Sequence, residues 1–496
     1  MKWKIIFSWL VVVMLLVVVN GCEEAESQGE QLAKKNCSSC HKYPEPEELD
    51  KATWMKHVLP QMGGFMGFRL FEGGTYFEDD RIERSISLQD WNAIVRYYVT
   101  NAPDQVPSAE RTHSIDSKIP FFETYRFPYR KSESATTFIA IESGKQRLIF
   151  GDGVSSRLYR SDSTLSGIQD SIYAGTGLAD MVVDNSEVFL LSMGVLTPSD
   201  ALKGKLMHTE TFSDTAKVLI DSLQRPVDFT YRDLNNDGLK DFVVCEFGNI
   251  TGSLNWYERL NSGSFRKHVL RPLPGAVHTE IADFNKDGLP DIIALMAQGD
   301  EGMFIYYNQG HSQFKESRIL TFSPAYGSNS FQLYDFNKDG YPDIVASNGD
   351  NGDYPPILKP YHGLRIYIND GKNNFIEKVF IHVDGASKVV AADFDNDGNP
   401  DLASIAYFAD YDNHPEEAFV LWKNSGDLEF HGYSFPEVSA GRWLTMDAND
   451  IDGDGDIDIV LGNANFSMGR IPQTLKEGWN RTAPSVIVLK NSNSRR

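Results

Sequence analysis

Along most of this chain short apolar runs alternate with polar, glycine-rich breaks, and the runs recur at a near-constant interval. The triplets FVV, IIA, IVA, LAS and IVL each follow an aspartate-rich turn. A polar loop comes next, then an aromatic-rich stretch closing on Asn or a similar turn residue, then a stretch containing Phe. Compare LNWYERLNSGSFRKHVL, MFIYYNQGHSQFKESRIL, LRIYINDGKNNFIEKVF and FVLWKNSGDLEFHGYSF. Runs this short, bounded by Gly, Asn and Asp, predict strands, four to a unit. Two weaker copies, at 136–163 and 181–210, precede the five clear ones and bring the number of units to seven. The last unit ends on SVIVLKNSNSRR, a third strand with no fourth. ETYRFPYR (123–130) is a strand with no unit ahead of the first. These two are expected to pair and close a ring, because unpaired strand edges are sticky.

The first hundred residues follow other periods. Residues 5–19 are almost wholly apolar behind Lys2 and Lys4. That run is shorter than the roughly 20 residues a membrane-spanning helix needs, and it predicts a targeting segment. Leu88, Trp91, Ile94, Val95 and Tyr98 share one face at helical spacing. Ser87 is placed to cap that helix, with Asp90 at its third position, and Asn101-Ala102-Pro103 to end it. DKATWMKHVL reads as a second helix, and PQMGGFMGF after it as a glycine-rich loop.

Composition narrows the function. A net charge of −22 leaves no basic stripe for phosphates, so nucleic acid is not an expected partner. Four cysteines are too few for a disulfide scaffold, and Cys245, inside an apolar strand, is expected to be buried. There is no dinucleotide fingerprint and no nucleophile elbow.

The aspartate-rich turns carry a specific signal. DLNNDGLKD, DFNKDGLPD, DFNKDGYPD, DFDNDGNPD and DIDGDGDID start at Asp233, Asp283, Asp335, Asp393 and Asp450. The starts are 50, 52, 58 and 57 residues apart. Oxygen ligands at positions 1, 3 and 5, a carbonyl at 7 and Gly at 6 suit a hard cation, Ca²⁺ rather than Mg²⁺. Position 12 is Val244, Ala294, Ala346, Ser404 or Leu461, so the bidentate Glu of an EF-hand is missing. The aspartate at position 9 is expected to close the shell. The candidate ligands are Asp233, Asn235, Asp237 and Asp241; Asp283, Asn285, Asp287 and Asp291; Asp335, Asn337, Asp339 and Asp343; Asp393, Asp395, Asp397 and Asp401; Asp450, Asp452, Asp454 and Asp458. Up to five Ca²⁺ ions follow. These turns resemble those of FG-GAP/VCBS-type β-propellers, as in integrin α-subunit heads. The resemblance implies a mainly β chain with a seven-bladed propeller.

Two cysteine motifs precede it. Val19-Asn20-Gly21-Cys22 resembles the lipobox of bacterial lipoproteins, which implies cleavage before Cys22, lipidation of that residue and a membrane anchor. Cys37-Ser38-Ser39-Cys40-His41 matches the c-type haem attachment pattern, in which two thiols join the porphyrin and the histidine ligates iron. One haem c is expected, with Cys37 and Cys40 covalent and His41 axial. The surroundings resemble a small all-α cytochrome c domain. Met66 is the favoured sixth ligand, with Met62 the alternative and His57 behind both.

The expected organisation is a signal peptide (1–21), a cytochrome c-like domain (22–105), a linker (106–120) and the propeller (121–496). Propeller geometry puts the loops between second and third strands opposite the metal turns. Arg225, His278, Asp353, Lys359, Tyr361, His362 and Arg442 are then expected near the channel mouth, as loop-stabilising residues or as a site; Arg225, His278, Lys359, His362 and Arg442 are the catalytic candidates. The chain resembles exported lipoproteins that fuse a monohaem cytochrome c to such a propeller. That implies electron transfer at the bacterial cell envelope, outer membrane, periplasmic or surface side, with the propeller docking a redox partner protein or a polysaccharide. Two other functions stay open: a propeller that oxidises a sugar-like substrate and reduces the haem, and a surface carbohydrate-binding or adhesion protein.

Overall fold

The structure, a computed structural model, describes residues 27–131, 133–185, 187–210, 212, 216–352, 357–466 and 468–493. The expected signal peptide, Cys22 and Asp353 lie outside the described residues. The chain divides into two units, Met1–Ser39 with Tyr43–Gln105, and Val106–Arg496 with Cys40–Lys42. Among the described residues no helix is long and apolar enough to cross a membrane.

The smaller unit is built on helices Gln28–Cys37 and Leu88–Asn101. Ser27 and Ser87 cap them, each side chain accepting the backbone N–H three residues on (3.2 and 3.1 Å). The helices meet at Gly29, where a Cβ would lie 2.5 Å from the Ala93 carbonyl oxygen. Trp54, Trp91, Ile94, Tyr98 and Phe68 form the core. Trp54 Nε1 donates to Pro46 O and the Tyr98 hydroxyl to Pro44 O, both at 2.8 Å. Two features differ from expectation. The stretch PQMGGFMGF is helical through Phe65, so Met62 lies on the helix Leu59–Phe65 and Met66 is its C-cap. The buried Leu59 and Gly63 anchor that extra turn against the core. The unit is also not all-α: Phe68–Leu70 pairs antiparallel with Tyr76–Glu78, through a tight turn at Gly73 and Gly74 with φ of 112° and 86°.

The larger unit is a seven-bladed β-propeller. Seven antiparallel sheets span 136–173, 178–224, 226–271, 276–321, 328–382, 386–433 and, for the last, 443–491. Second strands such as Asp241–Glu246 and Asp291–Met296 are buried throughout. Neighbouring blades cover both faces of these strands, which is why their sequence is a continuous apolar run instead of an alternation. The last blade takes its fourth strand from Phe122–Arg126, which pairs antiparallel with Val486–Asn491. The ring is therefore closed by hydrogen bonds between the two ends of the unit.

The stretch 106–120, expected as a linker, carries more structure than that. Ile115–Asp116 adds a parallel fifth strand to Phe430–Tyr433 of the sixth blade. Arg111 reaches Asp384 Oδ2 at 2.7 Å and Glu417 Oε1 at 2.8 Å, and both carboxylates are buried.

Candidate functional site

The five aspartate turns share one geometry. Position 4 is left-handed in the first four turns (Asn236, Lys286, Lys338 and Asn396, φ 58–60°), and Gly453 takes that place in the fifth at φ 80°. The position-6 glycines have φ between 83° and 92°. This backbone curls each turn about position 1, whose carboxylate accepts the glycine N–H: Asp233 from Gly238, Asp335 from Gly340, Asp393 from Gly398, each at 2.9 Å. Carboxylate oxygens of Asp393, Asp395 and Asp401 lie within 4.8 Å of one another, as do those of Asp450, Asp452 and Asp454. Asp233 Oδ1 is buried with no hydrogen-bond partner. An orphaned carboxylate oxygen beside further oxygen donors fits a hard cation.

The position-9 aspartates have a second task that their spacing does not reveal. Asp241, Asp291, Asp343, Asp401 and Asp458 are almost wholly buried. Each clamps two backbone donors, one at position 2 of its own turn and one near the end of the third strand. For Asp343 these are Phe336 N at 2.9 Å and Asn369 N at 2.8 Å; for Asp458 they are Ile451 N and Asn491 N, both at 2.8 Å. Burial, and then neighbouring carboxylates, raise Asp401 to about 7 and Asp458 to about 6. A bound cation would relieve that repulsion. The Asn that closes the third strand is also explained. Asn308 Nδ2 donates to Leu234 O and Asn491 Nδ2 to Phe394 O, both at 2.7 Å, each tying down the turn of the preceding blade.

The innermost strands hold the other polar cluster. At their third position, Asp180 Oδ2 accepts Phe229 N (3.3 Å), Asp228 Oδ2 accepts Thr279 N (3.0 Å) and Ser330 Oγ accepts Val389 N (3.2 Å). At their fifth, Glu280 accepts Leu333 N (3.1 Å), Gln332 accepts Ala391 N (2.7 Å) and Asp447 accepts Ile141 N (2.8 Å). Every one of these bonds crosses to the next blade. His278 sits in this ring, Nδ1 at 2.9 Å from Asp228 Oδ1 and Nε2 at 3.8 Å from Glu280. Cys245 is buried beside it, its Sγ 3.8 Å from Asp228 Oδ2.

The remaining candidates do not converge on one point. Arg225 donates to Leu196 O at 2.9 Å and lies over the Phe247 ring. Arg442 is fully buried: it stacks on Tyr407 at 3.6 Å and donates to Tyr407 O (2.9 Å) and Phe466 O (2.8 Å), joining the long loops of the sixth and seventh blades. Tyr361 stacks on Tyr326 at 5.1 Å. Lys359 and His362 are brought together, both buried, and His362 Nε2 has no hydrogen-bond partner. Burial, and then the Lys359 charge, hold the His362 pKa well below the ordinary value. Glu301, raised to about 8 by burial, accepts Ser328 N at 2.8 Å in the same region.

At the haem attachment pattern, Cys37 is the last residue of its helix and Cys40 is exposed; they are thiols, not a disulfide. His41 Nδ1 lies 2.8 Å from Lys42 O. Donation of Nδ1–H to that carbonyl leaves the Nε2 lone pair for a metal. Met62 and Met66 are half-buried.

Comparison with known proteins agrees with the turns. Residues 233–294 and 283–346 match the FG-GAP-like repeat. The chain is 30% identical over 143 residues to the T-cell immunomodulatory protein homolog of Plasmodium falciparum (isolate 3D7), which is 25% of this chain and 19% of that protein. It is 30% identical over 134 residues to human integrin alpha-7, 25% of this chain and 11% of the integrin. The chain thus spans less than a fifth of the length of these curated relatives. Among solved structures, Saccharomyces cerevisiae Sqt1 aligns at TM-score 0.42 and 8% identity, over 77% of this chain and 100% of that one. The N-terminal domain of Nup159 aligns at TM-score 0.42 and 10% identity, over 77% and 98%.

Proposed function

We propose that this chain is an envelope-anchored c-type haem protein that transfers electrons, and that its FG-GAP-bearing propeller is a calcium-stiffened module that docks a partner or a polymer. The observation that carries the haem assignment is the geometry of His41 at the end of the Cys37-Ser38-Ser39-Cys40-His41 run. Its Nδ1 is engaged by the Lys42 carbonyl, five residues past the helix that presents Cys37, and its Nε2 keeps a lone pair. When bound, the group supplies a one-electron couple. The chain's own residues attach it through Cys37 and Cys40, ligate it through His41 with Met66 or Met62, and set its potential by the softness of that sulfur.

The propeller's part is supported by the inner-strand latches, which engage polar side chains in blade-to-blade bonds. Binding, as the integrin similarity suggests, therefore ranks above catalysis for this unit. The lipid anchor at Cys22 completes the proposal. The test is expression of the chain in a host with haem-attachment machinery. One iron per chain and a Soret band that survives denaturation support the proposal; haem lost on denaturation, or none, rejects it.

A further inference from the structure

The face opposite the metal turns carries a groove, and among the described residues Lys359 is the expected site residue that lines it. A cavity of about 180 Å³ and an adjoining one of about 190 Å³ share Arg111, His382 and His414 as walls. The first is built from buried ionisable groups. Lys359 is 4% exposed, Asp410 8%, and the side chains of His382 and Asp384 6% and 3%. Groups of this kind are seldom buried unless something satisfies them.

His382 supplies the independent sign of a ligand. Its Nε2 lies 3.4 Å from Asp384 Oδ1, which favours the proton on Nε2. Nδ1 is then an acceptor, and it is buried with no hydrogen-bond partner. The group that satisfies it must bring a donor. Around it stand acceptors, Asp384 and Asp410, and donors, Arg111, Lys359 and Asn413. A hydroxyl both donates and accepts, so a polyol matches a wall of alternating donors and acceptors better than a purely cationic or anionic group does.

Charge narrows the choice further. Carboxylates outnumber cations around the two cavities, with Asp384, Asp410, Glu416 and Glu417 against Arg111 and Lys359. The chain as a whole carries −22. An anionic sugar would be repelled. A cation would meet Lys359 in the wall, and Arg111 already pairs with both Asp384 and Glu417. Each chamber has room for one sugar ring, and the shared walls place the two in succession.

We propose that the two cavities form one carbohydrate-binding groove, holding two consecutive units of a neutral glycan through His382, Asp384, Asp410 and Lys359. This deepens the docking function proposed above by naming the polymer. It also gives the segment after Gln105 a role, since Ser108, Ala109 and Arg111 are part of the groove.

The experiment is calorimetric titration of the calcium-loaded full chain with neutral disaccharides (cellobiose, xylobiose, mannobiose, laminaribiose, maltose, chitobiose), with the Soret band recorded on the same sample. Saturable binding of at least one is expected, weakened about tenfold by His382→Ala and by Asp410→Asn. Asn413→Ala, which removes a donor to Asp410 Oδ2 (2.8 Å), is expected to weaken it too; Ser108→Trp, at an exposed rim residue, is expected to block it with an unchanged melting curve, and covers the case in which the buried variants fail to fold. No saturable binding, binding unchanged in Asn413→Ala and His382→Ala, or preference for a lysine-rich peptide overturns the groove assignment. A protein with an intact Soret band and no glycan binding rejects the groove alone. Glycan binding without covalent haem rejects only the electron-transfer proposal.

Discussion

Asp228 Oδ1 lies 2.9 Å from His278 Nδ1, across the boundary between the third and fourth blades. The other oxygen of the same carboxylate accepts Thr279 N and Thr279 Oγ1. One side chain thus binds both a neighbouring backbone and a neighbouring charge. His278, which propeller geometry suggested for the channel mouth, is held as part of the inter-blade ring.

That pairing makes the ring sensitive to alkali. Burial by itself would lower the His278 pKa, but Asp228 and Glu280 outweigh it and raise the value to about 10. The stabilisation is fully present below the ordinary histidine value near 6.5 and is lost as pH rises through about 10. In saturating calcium the melting temperature is expected to fall between pH 7 and 10. His278→Gln should flatten that part of the curve; an unchanged slope in the variant would show that the pair does not govern it.

The metal turns separate two roles by position. EDTA should lower the melting temperature of the chain by at least about 5 °C, because ions bound only by the folded ring stabilise it. Asn337→Ala should weaken the calcium response and do little in EDTA. Asp343→Ala should cost about 3 kcal/mol in either condition, since Phe336 N and Asn369 N lose a buried acceptor. Equal effects of the two variants in EDTA, read by denaturant unfolding, would contradict this division.

Arg111 is expected to matter for stability as much as any core residue. It is the cation that reaches the buried carboxylates of Asp384 and Glu417. Arg111→Ala should cost about 3 kcal/mol, because removing one partner leaves charge buried and uncompensated. Arg111→Lys should restore part of it, as a point charge cannot span both acceptors with a planar fork. Urea midpoints of the two variants against the parent decide the matter.

In the haem-loaded chain, replacing the sixth ligand should lower the reduction potential, since soft sulfur favours the reduced iron. Met66→Ala is expected to do so and Met62→Ala to leave the potential near that of the parent. Met66, at the helix end, is set by the C-cap turn, whereas Met62 lies within the helix Leu59–Phe65. The reverse outcome in a redox titration would assign the ligand to Met62.

The repeating turns, the seven units and the strand that closes the ring were legible in the sequence because each rests on local rules. A position-6 glycine at positive φ, alternating oxygen donors and a third strand left without a fourth are visible in any short window. The helical period of Trp91, Ile94 and Tyr98 was legible for the same reason. Only the tertiary structure decided that Asp343 clamps two backbone strands, that Arg442 is buried on Tyr407, and that Arg111 fastens residues 106–120 to the sixth blade. It also decided that Lys359, His382, Asp384 and Asp410 share one cavity, though Lys359 and Asp410 are 51 residues apart. Local geometry is written in neighbouring residues, whereas the partners of a buried charge come from whichever blades the closed ring places side by side.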